Sequence, residues 1–169
     1  MNTDTATRYN VELLQQVRDV IADENNHDQS LWMRISRSVL NSIPARWVDS
    51  NGNKFIEVSC PTAACVAGWA ASLSGAKMVV HEHELGYGSR GHVQAQDVIF
   101  EGETHGIARF ARDRLGLTDR EADALFAAEW TNEDVLDNLD DILQAARHGV
   151  DWDIRWVEDD DDYDNGDDY

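Results

Sequence analysis

The stretch Ser59-Cys60-Pro61-Thr62-Ala63-Ala64-Cys65-Val66-Ala67-Gly68-Trp69-Ala70-Ala71-Ser72-Leu73-Ser74-Gly75 decides the fold of this chain. Small apolar side chains fall on every side of a helix drawn through it, so that no polar face is left for water. A helix of that kind is buried on all sides. The sequence therefore predicts a central buried helix at about residues 61–74, with Pro61 or Thr62 at its start and Gly75 just beyond its end.

Five residues of this stretch are assigned structural roles. Thr62 is expected at the helix start, Gly68 is expected to let another element approach closely, and Trp69 is expected to fill the space beside it. The two cysteines are expected to pack, one where the helix meets its neighbours and one towards the core. The structural set is Cys60, Thr62, Cys65, Gly68 and Trp69.

Two segments precede the central helix. Asn10 is a good N-cap for a helix that runs to about Glu24, and the apolar residues after it recur at spacings of three and four. Part of segment 29–43 has a rough helical period and is interpreted as a short helix. The segments 46–48 and 54–58 flank Asn51-Gly52, which predicts a β-hairpin.

Strands and helices follow the central helix. Two apolar-rich segments, 77–83 and 93–100, surround a glycine-rich turn and predict a second pair of strands. From Thr104 the pattern becomes helical, with a first helix that ends near Gly116, a capping box at Thr118 and Glu121, and a third helix from Thr131 to Gly149. The whole is predicted to be a mainly helical α+β fold with a small antiparallel sheet and a carboxy-terminal set of helices.

Charge is the strongest compositional feature of the chain. The 169 residues carry a formal net charge of −19. The last twelve residues, 158–169, hold eight acids and no base, which leaves −11 on residues 1–157. We expect residues 1–157 to form one globular domain and residues 158–169, the acidic tail, to be disordered unless bound. Such a chain repels nucleic acid and anionic membranes and attracts basic protein surfaces.

Location is inferred from what the sequence lacks. No apolar run approaches the roughly 20 residues that span a bilayer. The first twenty residues have neither the basic start nor the apolar centre of a secretory signal. We therefore expect a cytoplasmic protein with no membrane partner.

The two cysteines invite a chemical hypothesis. A thiolate at a helix N-terminus is stabilised by free N–H groups, so Cys60 could act as a nucleophile with His83 or His92 as its base. Alternatively, Cys60, Cys65, His81 and His83 are chemically competent zinc ligands. The surrounding residues match no peptidase motif and the C-x₄-C spacing is at the edge of the usual zinc range, so structural roles are favoured. No cofactor or metal is predicted.

Two motifs in this chain resemble the signatures of a known family. Cys60-x-Thr62-x-x-Cys65-x-Ala67-Gly68 is similar to a Cys-Gly-Thr-x-x-Cys-x-Ala-Gly signature found in small uncharacterised proteins of tailed phages and some bacteria. The later Leu115-Gly-Leu-Thr-x-x-Glu121-Ala122-x-x-Leu125-Phe126 resembles the second signature of that family. Pro61 replaces the usual glycine. The resemblance implies a phage origin, and hence the host cytoplasm, and it implies no chemistry.

Acidic residues near the carboxy terminus are the candidate partner-binding residues. In the third carboxy-terminal helix they recur at spacings of three and four, which predicts an acidic stripe with neighbours roughly 5–6 Å apart. Two tryptophans near that helix are expected to add apolar contact area, and the tail adds further carboxylates. The candidates are Glu133, Asp134, Asp137, Asp140, Asp141, Trp152, Trp156, Asp159, Asp160, Asp161, Asp162, Asp164, Asp167 and Asp168.

These residues favour a non-enzymatic module that binds a basic protein surface of the host or of the phage. In its most specific form the hypothesis is a nucleic-acid mimic that occupies a basic groove. Two alternatives stay open: an enzyme or zinc protein centred on Cys60, and a structural phage accessory protein of the capsid or tail.

Overall fold

The computed structural model describes residues 8–36, 38, 47–48, 54–58, 61–81 and 92–154. Within these ranges the chain forms five α-helices: α1 Val11–Ile21, α2 Val66–Leu73, α3 Ile107–Leu115, α4 Asp119–Phe126 and α5 Asn132–His148. The strands described are β1 Met33–Ser36, β2 Trp47–Val48, β3 Lys54–Val58, β4 Ala63–Ala64, β5 Lys77–His81, β6 His92–Ala95, β7 Asp97–Phe100 and β8 Glu103–Gly106. The predicted α+β fold is confirmed.

The strands form two antiparallel sheets. The larger has the order β2-β3-β5-β7-β8, and the smaller has the order β4-β1-β6. The predicted hairpin is present, with Trp47 opposite Phe55. The predicted second pair is also present, since Met78 of β5 lies opposite Val98 of β7. However, the predicted strand 93–100 divides at Gln96, because β6 leaves this sheet and pairs with β1.

The central helix is shorter than the predicted 61–74. Ala63 and Ala64 form β4 and pair with β1, so α2 begins at Val66. The backbone of this segment forms hydrogen bonds with β1 instead of within a helix. For example, the Thr62 N–H donates to the carbonyl of Arg34 at 2.7 Å. The Thr62 hydroxyl accepts the N–H of Ser36 at 2.9 Å, so this side chain ties β1 instead of capping α2. Gly75, with a φ of +85°, lies beyond the helix end as predicted.

Two further segments differ from their helical pattern. Met33–Ser36 is a strand in which the buried side chains of Met33 and Ile35 alternate with half-buried ones. The short helix predicted for part of segment 29–43 does not include these residues; Ser38 is helical, and residues 37 and 39–43 lie outside the described residues. Residue pairing on both sides of β1 satisfies its backbone groups and outweighs the rough helical period. The first carboxy-terminal helix starts at Ile107 and not at Thr104. Glu101 and Gly102, both with positive φ, turn the chain so that β8 pairs with β7.

The other predicted boundaries of the carboxy-terminal helices are confirmed. Gly116 and Gly149 adopt the left-handed conformation at the ends of α3 and α5. Thr118 and Glu121 form the predicted capping box at the start of α4, and Thr131 with Asp134 forms a second one at the start of α5. These caps fix where α5 begins and therefore which of its side chains point outward.

The buried helix α2 contacts α1, α3, α4 and β5. At Gly68 its backbone lies close to a neighbouring segment, because a Cβ at this position would clash with the Trp32 carbonyl oxygen. One hydrophobic cluster of buried residues extends from Tyr9 to Trp152. Among the described helices, none has both the length and the apolar character needed to cross a membrane.

Candidate functional site

Helix α5 presents its apolar face inward and its carboxylates outward. Val135, Leu139 and Ile142 are fully buried in the core. Asp134, Asp137 and Asp141 follow one another at spacings of three and four, so they lie along one side of the helix. The outward side is therefore acidic over two turns, as the sequence pattern predicts.

Two of the five acids on α5 have partners within the fold. The Asp134 carboxylate accepts the Thr131 N–H at 3.0 Å and the Thr131 hydroxyl at 2.6 Å, and these bonds lower the pKa of Asp134. Asp140 accepts two hydrogen bonds from Arg18, at 2.5 and 2.8 Å, which lower the pKa of Asp140. Both carboxylates are partly committed to the fold, which makes them weaker candidates for binding a partner.

The other three acids are the better candidates. Within the part of the chain that the structure describes, Glu133, Asp137 and Asp141 form no ion pair. Glu133 and Asp137 are exposed, and Asp141 is half-buried.

Two adjoining grooves lie beside α5. The first, which we call the tryptophan groove, has a volume of about 450 Å³. It lies between α4, α5 and segment 152–154. Its described lining residues are Arg120, Asp123, Ala124, Ala127, Glu129, Trp130, Asn138, Trp152 and Ile154.

The second groove, which we call the acidic groove, has a volume of about 330 Å³. Three carboxylates line it, those of Asp141, Asp151 and Asp153, together with the imidazole of His148. Trp152 lines both grooves and so joins them into one surface. Asp151 is also paired with Arg8, at 3.1 Å. The acidic surface predicted from the sequence therefore includes residues of α4 and of segment 151–154 that the α5 pattern does not contain.

Trp152 is placed differently from the sequence prediction. Its side chain is 7% exposed and belongs to the core, so it offers a groove wall rather than a protruding contact. Its backbone N–H donates to the Tyr9 hydroxyl at 2.8 Å, which holds the segment against the body. Trp156 and the tail carboxylates Asp159, Asp160, Asp161, Asp162, Asp164, Asp167 and Asp168 lie outside the described residues.

The sequence does not predict the polar cluster that lies behind Trp152. We call it the terminal clip; it consists of Arg8, Tyr9, Glu121, Asp151 and Trp152. Glu121 is 3% exposed, and its carboxylate accepts bonds from the Arg8 guanidinium at 2.5 and 2.7 Å and from the Tyr9 hydroxyl at 2.5 Å. The capping box identifies Glu121 from sequence, but no local pattern pairs it with residues 112 and 113 positions earlier.

The clip has an electrostatic signature. Burial raises the pKa of Glu121, but hydrogen bonds from Arg8, Thr118 and Tyr9 lower it by more, so the pKa falls to about 2. Burial and the hydrogen bond to Glu121 raise the pKa of Tyr9 to about 12. At neutral pH the cluster therefore contains an ionised Glu121 carboxylate that is hydrogen-bonded to the Arg8 cation and to the neutral Tyr9 phenol.

The cysteine site is only partly described. Cys65 is buried, its thiol donates to the Trp32 carbonyl at 3.6 Å, and burial raises its pKa to about 11. A thiol of this kind is a poor nucleophile at neutral pH. Cys60 and His83 lie outside the described residues, so the nucleophile and zinc hypotheses stay predictions. In the described ranges no three His, Cys, Asp or Glu residues form a group that could hold a metal.

The remaining structural residue, Trp69, is buried beside α1. Its indole N–H donates to the Asn26 carbonyl at 2.7 Å, which ties α2 to the turn after α1.

Comparisons of this chain with family models, curated proteins and solved structures find no match.

Proposed function

We propose that this chain is a non-enzymatic binding module whose acidic carboxy-terminal surface contacts a basic protein. One observation carries the proposal: carboxylates from α4, α5 and segment 151–153 surround two adjoining grooves that share Trp152. The net charge of −19 also favours binding to a basic protein.

Charge and shape have separate roles in this proposal. The acidic field accelerates the approach of a basic partner and makes association weaken as salt screens it. The grooves accept side chains of the partner, which slows dissociation. In the mimic version of the proposal, neighbouring carboxylates on α5, roughly 5–6 Å apart, occupy the positions of phosphates in a basic nucleic-acid site. The two family-like signatures support a phage origin, with a host or phage protein as the partner.

The experiment compares two variants of equal charge in affinity capture from a bacterial lysate. The surface variant removes one exposed charge of α5 and two charges that line the acidic groove, through Asp137→Asn, Asp141→Asn and Asp153→Asn. The control removes three exposed charges elsewhere, through Glu12→Gln, Asp19→Asn and Glu103→Gln.

We expect wild type and control to retain the same basic proteins at low salt and the surface variant to lose them. High salt should release them from wild type. Equal retention by the surface variant and the control would show that the surface is not the binding site. Adding DNA and RNA as competitors separates the two versions, since only a partner bound through its nucleic-acid site is displaced.

A further inference from the structure

The tryptophan groove contains a buried polar side chain that the fold does not use. Asn138 is 6% exposed and lines the groove. Its carboxamide makes no hydrogen bond with any residue in the described ranges, yet its polar atoms are not sealed from solvent. Water in the groove can bond to this amide, but a ligand that fills the groove displaces that water and must replace its hydrogen bonds, or leave the amide unpaired at a cost of about 1–3 kcal/mol. The groove therefore favours a ligand with a polar group that reaches Asn138.

The other lining residues define the chemistry of that group. The Trp130 indole N–H is already bonded to the Ala124 carbonyl at 2.6 Å, so this side chain offers a ligand its aromatic surface. Trp152 adds a second aromatic wall. Asp123 and Glu129 bring two negative charges to the rim and Arg120 one positive charge, and Arg120 has a partner of its own. The groove is thus aromatic, acceptor-bearing and net negative.

We propose that the tryptophan groove binds an arginine side chain of the basic partner; this rests on the proposed function and names the anchor group. A guanidinium is planar, stacks on indole rings and carries five N–H donors. It can pair with the rim carboxylates and donate to the Asn138 carboxamide oxygen. The volume of about 450 Å³ is within the range of ligand pockets and accommodates such a side chain.

Other occupants satisfy fewer of these groups. An apolar side chain leaves the Asn138 amide unpaired. A lysine ammonium is a strongly hydrated point charge without a planar face to stack. An anion is repelled by the carboxylates of Asp123 and Glu129. Of these groups, only a planar cation can stack on the indole rings, pair with the rim carboxylates and hydrogen-bond to Asn138 at the same time.

The test uses three peptides, Gly-Ser-X-Ser-Gly with blocked ends, in which X is arginine, lysine or citrulline. Citrulline keeps the shape without the charge, and lysine keeps the charge without the plane. Binding to the full chain is followed by NMR titration, which also locates the site through the indole N–H of Trp130 and the side-chain amide of Asn138. We expect the arginine peptide to bind about tenfold tighter than either of the others, a difference of about 1.4 kcal/mol.

Three variants accompany the titration. Asn138→Leu removes the acceptor at similar volume and should weaken arginine binding about tenfold. Glu129→Gln, on an exposed rim position, should weaken it and reduce its salt dependence, and it keeps the test decisive if Asn138→Leu unfolds. Gln16→Leu removes an exposed amide from α1, which lines neither groove, and should leave binding unchanged. Equal affinity for the three peptides, or no effect of Glu129→Gln, would overturn the arginine site.

The two proposals can fail separately. If the groove does not distinguish the peptides but the surface variant still loses its basic partners, the arginine anchor is wrong and the acidic module stands. If the peptides are distinguished but the surface variant keeps every partner, the groove binds arginine and the acidic surface is not how the chain finds a protein.

Discussion

The Tyr9 hydroxyl donates to Glu121 Oε1 at 2.5 Å and accepts the backbone N–H of Trp152 at 2.8 Å. One phenol thus joins the segment before α1, the first turn of α4 and the segment after α5. Because Trp152 lines both grooves, this bridge also sets the position of the wall they share.

Tyr9→Phe should lower the free energy of unfolding by about 1–3 kcal/mol. The substitution keeps the ring and removes the hydroxyl, so a buried carboxylate oxygen and a buried N–H each lose a partner. Urea unfolding followed by circular dichroism measures the effect. An unchanged unfolding midpoint would mean that the bridge does not contribute to stability.

Glu121→Gln should destabilise the fold in a pH-dependent way. The pKa of Glu121 in the folded state, about 2, is below its usual 4.5, so the charged carboxylate stabilises the fold above pH 4.5. This contribution is lost as the pH falls from about 4.5 to about 2. The wild-type advantage should be on the order of 3 kcal/mol at pH 7 and shrink through that window.

The matched control for this prediction is Asp119→Asn in the same turn of α4. Asp119 is exposed and pairs with Arg112 at the surface, so its loss should cost less than about 1 kcal/mol. Urea unfolding of the three proteins between pH 2 and pH 7 gives the comparison. A Glu121→Gln difference that stays constant across this range would contradict the account of the clip.

Gly68→Ala should be severely destabilising, by about 3 kcal/mol or more. The added Cβ meets the Trp32 carbonyl oxygen, which is backbone, and comes to 2.7 Å from the Ala64 Cβ, so no flexible side chain can simply move away. Gly106→Ala is the control, because a Cβ there meets nothing within 4 Å. Thermal unfolding should separate the two variants clearly; equal melting temperatures would mean that α2 can shift away from β1.

Cys65 should not react with iodoacetamide in the folded protein near neutral pH. Burial holds its pKa at about 11, so the thiolate is scarce, and the reagent cannot reach the sulfur. Mass spectrometry of a Cys60→Ser variant isolates this thiol. We expect labelling to appear only in urea. Rapid alkylation under native conditions would show that the amino-terminal end of α2 opens readily.

Local signals explain what the sequence predicts correctly. Asn10, Thr118 and Thr131 cap helices because their side chains accept a hydrogen bond from the N–H group three residues on. Gly75, Gly116 and Gly149 end helices because they adopt positive φ. These are short-range interactions that a sequence displays directly.

Strand pairing explains the errors. Ala63 and Ala64 have high helix propensity, yet they form β4 because β1, thirty residues earlier, offers its backbone. Thr104 and His105 are drawn into β8 by a hairpin turn at Glu101-Gly102 that lacks the Asn-Gly signal. In both places the hydrogen bonds between paired strands outweigh helix propensity, through a long-range pairing at β4 and through a local hairpin at β8.

The site shows the same division. The acids of α5 are visible from their spacing, whereas the grooves depend on Asn138 and Trp130 meeting a segment after the helix. A helical period places Asn138 on the acidic side of α5, but it does not reveal that α4 and Trp152 enclose it. Burial of Trp152 likewise follows from Tyr9, which is 143 residues away.

The terminal clip also has a mechanical consequence. Arg8 is paired with Asp151 at 3.1 Å, so two residues that are 143 positions apart in the chain lie side by side. Force that pulls residues 8 and 152 apart would load the clip before any helix or sheet. The grooves share a wall with that junction, so tension between these two residues would deform the candidate binding surface before it unfolded the core.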